Sequence, residues 1–228
     1  MDEIEWRRTV SAVNADVRGI IRAQRVLDEV NRALGERRND PNEEDRIFSD
    51  AFGFEPGDSR IISVDGVEIR IRRLHREGLR QSDILGADLI YEVAGLKFVL
   101  VQYKDANAQN RVQYDSTQID TLVSACPNSH PQNSPVSWPT CGSWYNVRGA
   151  SEALYMPACK AKAVFGNAKS RSFELFRDGV SPEVFQQLFA RCWIGGRIAP
   201  SELLYLGWSA MQANRVLFVV TQLGTFGR

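Results

Sequence analysis

The sequence predicts an α/β (α+β) fold: a mixed central sheet flanked by helices, with a long helix at the N-terminal side and a loop-rich insertion near the middle. Three observations carry this prediction. Two pairs of β-forming runs, Ser59 to Leu74 and Leu89 to Tyr103, each turn at a glycine. Stretches of helical periodicity lie around them. Of the 228 residues, 43% are hydrophobic, enough to fill one sizeable core and too many for a disordered chain.

The chain in order justifies each element. Over Glu3 to Leu34 a helix is expected, because Trp6, Val13, Ile20, Leu27 and Leu34 recur every seven residues. An interleaved series starts at Val10 and Val17 and turns polar at Gln24 and Asn31. Such a seam suits either packing on the chain's own domain or self-association. Gly35 closes the helix and a linker follows, dividing residues 1–40 as an N-terminal helical segment, with a possible role in dimerisation, from a main domain over 41–228. A second helix is predicted over Asn42 to Phe52, capped by Asn42, with Glu43, Glu44 and Asp45 favoured by the dipole in its first turn.

In the first hairpin, turning at Asp65-Gly66, Val67, Ile69 and Ile71 alternate with Glu68, Arg70 and Arg72, so one face is buried and the other charged. The second hairpin turns at Ala94-Gly95, and a helix is expected from Ser116 to Ala125. Residues 126–159, punctuated by five prolines, read as a loop-rich insertion. Lys160 to Gly166 and Phe173 to Phe176 read as short strands. Ser181 with Pro182 starts a helix running to Trp193, broken by Gly195-Gly196. A last helix to Ala213 and an apolar strand from Arg215 to Leu223 complete the prediction.

Charge excludes little, because Lys plus Arg and Asp plus Glu are each 28. Local excesses do occur: six Arg lie within Arg60 to Arg80, and six basic residues within Arg148 to Arg177. They are either solvated surface or a phosphate-tracking rim, for which Arg70, Arg72, Arg73, Lys160 and Lys162 are the candidates. No apolar run is long enough to span a membrane and no apolar signal core opens the chain, so a cytoplasmic location is expected. Four Cys in that setting are reduced thiols or metal ligands rather than disulfides. Cys126, His130, Cys141 and Cys159 have the chemical types of a structural zinc set, without the paired C-x-x-C knuckles of a strong zinc signature; ordinary buried thiols are the alternative. The chain has no Gly-rich phosphate loop, no H-E-x-x-H and no G-x-S-x-G.

The chemistry concentrates in Gly86 to Asp105, GADLIYEVAGLKFVLVQYKD. Asp88 opens one strand, and the period of two places Gln102 and Lys104 on one face of the next. On these residues the chain resembles the PD-(D/E)XK nuclease superfamily, the restriction-endonuclease-like fold. Asp88 stands where that family has its Asp, Gln102 where it has the triplet acid and Lys104 where it has the Lys, giving a Q-x-K variant. Gly86 replaces the motif's Pro, and the Gln amide oxygen can ligate a hard cation without contributing charge.

The resemblance implies a metal-dependent endonuclease cleaving DNA, RNA being the open alternative, as in restriction or other anti-phage defence. It implies Mg²⁺ or Mn²⁺ held by Asp88, Gln102 and a further carboxylate, Glu44, with Gln118 in support. A homodimer or higher oligomer and a defence-system partner subunit are further expectations. The alternative is a catalytically inactive nuclease-like subunit that binds nucleic acid or serves assembly.

Overall fold

A computed structural model describes residues 4, 18–32, 59–74, 85–126, 141–191 and 193–197. Its centre is a mixed seven-stranded sheet. The strands are β1 (Ser59–Val64), β2 (Val67–Arg73), β3 (Leu89–Val93), β4 (Lys97–Asp105), β6 (Ser143–Arg148) and β7 (Ala153–Pro157), hydrogen-bonded in that order. The last, β9 (Gly196–Arg197), pairs with the beginning of β4. Every pairing is antiparallel except β4 with β6. Two parallel neighbours need a crossover. It carries the short β5 (Arg111–Gln113), which pairs with β8 (Ser170–Ser172), and helix α2 (Ser116–Ser124).

Turn chemistry sets both hairpins. Asp65 and Gly66 take φ 51 and 78, the left-handed pair that a two-residue hairpin loop requires. In the second hairpin Gly95 takes φ 70, and the Leu96 N–H closes the turn on the Val93 carbonyl at 3.0 Å. Register follows from burial. Ile69 and Ile71 on β2, Leu89, Tyr91 and Val93 on β3, and Val99 and Val101 on β4 share one face, while Ile90, Phe98 and Leu100 point to the other. Because β4 is covered on both sides, its run from Lys97 to Gln102 is buried throughout.

Helices cover the two faces. The first face receives α4 (Pro182–Ala190), which starts with Ser181 accepting from the Val184 N–H and Pro182 at its first turn, as the sequence predicts. Phe185 and Phe189 of α4 enter an aromatic cage with Tyr91, Trp144 and Tyr155. The opposite face receives α2, α3 (Ala158–Phe165) and α1, the helical residues 18–32. Of α1, Ala23, Val26 and Val30 are buried there, one turn offset from the predicted heptad seam, and Asn31 of the polar series accepts from Arg72 at 3.0 Å. The described part of that helix therefore lies on its own domain.

The sequence prediction needs four corrections. Residues 143–157 of the supposed loop-rich insertion form β6 and β7, inner and edge strands of the main sheet. The stretch expected as a strand at Lys160 to Gly166 belongs to α3, because Ala158, Ala161 and Phe165 recur with helical spacing on a buried face. Phe173–Phe176 is a 3₁₀ turn rather than a strand. The helix predicted to reach Trp193 ends at Ala190. The helix over 42–52, the helix after Pro200 and the strand over 215–223 lie outside the described residues.

Candidate active site

The site grows from the place where β3 begins. Gly86 takes φ 70, and a Cβ there would stand 2.2 Å from the Gln118 carbonyl oxygen of α2. Proline, with φ fixed near about −65°, has no access to this conformation. The helix lies directly on the backbone before Asp88, which accounts for glycine at this motif position. Asp88 is then tied on both sides, its N–H to the Val101 carbonyl at 2.9 Å and its carbonyl to the Leu74 N–H at 2.7 Å.

With Leu89 opposite Val101, Asp88 faces Gln102 across the antiparallel ladder, and Lys104 follows two residues on along the same face. The three sequence-predicted residues are thus brought to one side of the sheet. Asp88 Oδ2 accepts from Gln102 Nε2 at 2.6 Å and from the Tyr103 N–H at 2.8 Å. Gln102 Nε2 also donates to the Tyr103 carbonyl at 3.2 Å. Two acceptors on one amide nitrogen fix the orientation of that amide. Gln102 Oε1 is consequently a buried acceptor with no hydrogen-bond partner among the described residues, in a residue 1% exposed. Leaving such a group unmatched costs about 1–3 kcal/mol. Asp88 is 8% exposed and Lys104 half-buried.

Two groups that the sequence reading did not place at the site flank this pair. Tyr145 lies beside Gln102 on β6, and burial raises its phenol well above the usual range, with the carboxylates of Asp88 and Asp115 adding to the effect. Asp115 caps α2, accepting from the Gln118 N–H at 3.1 Å. The signal for Tyr145 was weak, because its strand is six residues long within a Pro- and Gly-punctuated segment. Gln118 lies on α2, with its backbone carbonyl over Gly86.

The outlying predictions fare differently. Glu44 and His130 lie outside the described residues. Arg72 is held by Glu92 at 2.6 Å, Lys160 by Asp178 at 3.3 Å and Lys162 by Asp120 at 2.7 Å, so these cations meet acids rather than forming an open basic rim. Arg70 is exposed on the site face of β2 beside Arg72; the Arg73 side chain is outside the described set. Of the zinc candidates, Cys141 is buried, Cys126 half-buried and Cys159 exposed, and none of the three is in a disulfide. Among the described residues no group of three His, Cys, Asp or Glu side chains is arranged to hold a metal. No described helix is long and apolar enough to cross a membrane.

What the pair can do chemically follows from its donors. A buried carboxylate, and on the same Gln102 amide an oxygen turned away from it, are oxygen donors of the type that a hard cation such as Mg²⁺ or Mn²⁺ prefers. The missing donor for Gln102 Oε1 is the feature that such an ion would supply. Comparison of the chain with protein-family models, with curated proteins and with solved structures gives no match.

Proposed function

We propose that this chain is a metal-dependent endonuclease of the restriction-endonuclease-like type, hydrolysing DNA phosphodiester bonds with Asp88, Gln102 and Lys104. The PD-(D/E)XK resemblance at these residues is supported by a mixed sheet flanked by helices, the architecture that the resemblance implies. The single observation that carries the reading is the buried pair itself: Gln102 bonded to Asp88 at 2.6 Å, with its amide oxygen left unmatched.

Asp88 and Gln102 Oε1 would hold the ion, with Glu44 as the expected further carboxylate. A bound divalent ion supplies a Lewis acid toward the phosphate and a water of lowered pKa. The protein contributes orientation. The Tyr103 N–H and the Gln102 amide fix the Asp88 carboxylate before substrate arrives, so no reorganisation is needed at the moment of reaction. Lys104, on the same face, directs an ammonium at the attacking water and at the negative charge that develops on the phosphate.

The test is incubation of the purified protein with supercoiled and linear DNA in Mg²⁺ or Mn²⁺, beside Lys104→Ala and Asp88→Asn. Cleavage that falls by about 100-fold or more in both variants is expected. Cleavage unchanged in Lys104→Ala would overturn the assignment. One observation favours a second reading, an inactive nucleic-acid-binding or assembly subunit: Gln102 presents its nitrogen to Asp88, and no described trio of acidic or other ligand side chains surrounds them. DNA retained without cleavage at every metal concentration would select that reading.

A further inference from the structure

The carboxyl ends of β4 and β6, the parallel pair of the sheet, open on a crevice of about 410 Å³. That volume lies inside the range of about 300–1,000 Å³ typical of small-molecule sites, and the carboxyl ends of parallel strands are a common place for them. Asp105 and Arg148 are the last residues of the two strands and stand opposite each other in the register. The walls are the loop after β4, the four-residue connection from β6 to β7, and the 3₁₀ turn Phe173–Phe176 with Arg177.

These walls are tied together by their own hydrogen bonds, so little ordering is left for a ligand to impose. The Ala106 N–H donates to the Arg148 carbonyl and the Gly149 N–H to the Glu152 carbonyl, each at 2.8 Å, and the Phe173 N–H donates to the Asn110 carbonyl at 2.9 Å. Asn107 Oδ1 accepts from the Gln109 and Arg111 N–H groups at 3.1 and 3.0 Å. A Cβ at Gly149 would stand 3.2 Å from the Phe173 ring, so this buried ring and the bare backbone over it give the crevice an apolar base. Among the charged side chains of the lining, Arg177 pairs with Glu174 at 2.5 Å, and Asp105 accepts from the Tyr103 hydroxyl. Arg148 and Glu152, both exposed, are in no ion pair among the described residues, although they flank the same short connection.

We propose that this crevice binds an unpaired guanine base, with the Arg148 guanidinium on O6 and N7 and the Glu152 carboxylate on N1–H and the N2 amine. Guanine offers a planar guanidinium two adjacent acceptors on one edge and a carboxylate two adjacent donors on the other. Adenine sets its N6 donor against the guanidinium, and the pyrimidines carry their donors and acceptors along a single edge, so none of these bases answers both charges. A phosphate is a poorer occupant, because three carboxylates outnumber two guanidinium groups in the lining. The sugar and phosphate therefore stay at the mouth. In a duplex the N1 and N2 edge is taken by cytosine, so the base comes from a free nucleotide or from an unpaired stretch of DNA. The lining contains none of Asp88, Gln102 and Lys104, so this binding goes beyond the nuclease reading and does not rest on it.

The full chain is titrated calorimetrically in EDTA, which stops metal-dependent cleavage, with each of the four deoxynucleoside monophosphates and with the hypoxanthine analogue that lacks the N2 amine. Thymidine oligonucleotides with and without one central guanine, followed by fluorescence anisotropy, separate a base within a strand from a free nucleotide. The guanine probe should bind about 10-fold or more tighter than the other three bases. Arg148→Ala should abolish that margin, and Glu152→Gln should erase the difference between guanine and hypoxanthine; both residues are exposed, so the variants keep the fold. A guanine preference in the oligonucleotide, in the mononucleotide or in both supports the proposal and names the source of the base. Equal affinity for guanine and adenine, no binding of any probe at millimolar concentration, or unchanged guanine affinity in both variants would overturn it. A chain that cuts DNA yet ignores guanine fails this proposal alone, and one that binds guanine without cutting fails the nuclease reading alone.

Discussion

The two faces of the sheet are built from the same strands and yet treat polar groups differently. On the α4 face the buried polar atoms lie among aromatic rings. The Tyr91 and Tyr155 hydroxyls bond each other at 3.1 Å, Phe185 stacks on Tyr155 at 4.1 Å, and the Lys97 ammonium lies 4.1 Å from the centre of the Phe189 ring. On the α2 and α3 face, Arg72 Nε, Gln102 Oε1 and Ser143 Oγ are buried without a hydrogen-bond partner among the described residues, and a carboxylate sits 8% exposed beside one of them. One face is optimised for packing. The other accepts a stability cost at the residues to which the sequence assigns chemistry, the pattern expected when a site must leave valences open for something it binds.

Four changes would break or sharpen this contrast. Phe185→Ala empties the centre of the aromatic cage and should cost about 3–5 kcal/mol in denaturant unfolding, while leaving the metal response of the folded fraction unchanged. A loss below about 1 kcal/mol would show that the α4 face is not the stability-determining one. Gly86→Ala forces a side chain into φ 70 and against the α2 backbone, and should cost about 2 kcal/mol or more. Because α2 must shift, the variant should also lose divalent-ion stabilisation in thermal melts; retention of both properties would refute the contact's role.

Gln102→Glu sets a second carboxylate against Asp88 Oδ2 in place of an N–H donor. Without metal it should lower stability by about 1–3 kcal/mol, and added Mg²⁺ should raise its Tm more than that of the natural chain. Equal melts in chelator and in Mg²⁺ would argue against a cation at this pair. The smallest effect is expected from Tyr91→Phe, about 0.5–1.5 kcal/mol at neutral pH for one buried hydrogen bond.

Alkaline titration extends that comparison. Burial raises Tyr91, Tyr145 and Tyr155 above the ordinary 10.0, and burial followed by the hydrogen bond to Asp105 pushes Tyr103 up to about 12. The folded state therefore holds protons that the unfolded chain gives up above pH 10, and stability should fall as pH rises through that point. Tyr91→Phe should flatten the fall. Tyrosinate absorbance amounting to more than two of the six tyrosines before any loss of fold would contradict the burial of these four phenols.

The sequence made some parts legible because their causes are local. Asp65-Gly66 and Ala94-Gly95 announced both hairpins, since left-handed backbone at a turn favours these residues. Ser181-Pro182 announced α4 through cap chemistry, and the period of two aligned Gln102 with Lys104. Other parts were hidden. The strand of Trp144 to Val147 is short and lies among prolines and glycines, so its place beside β4 depends on a parallel pairing across more than thirty intervening residues. Lys160 to Gly166 read as a strand, although Ala158–Phe165 is a helix, because a short apolar run has no decisive period.

The sequence alone determined the two hairpins, the start of α4 and the alignment of Gln102 with Lys104 on one strand face, because turn, cap and alternation are properties of neighbours along the chain. Tertiary structure decided that Gln102 turns its nitrogen to Asp88, that Tyr145 stands beside it and that glycine is required under α2. Those facts depend on the register between strands far apart in the chain, and register is settled by the burial of whole faces at once rather than by any local pattern.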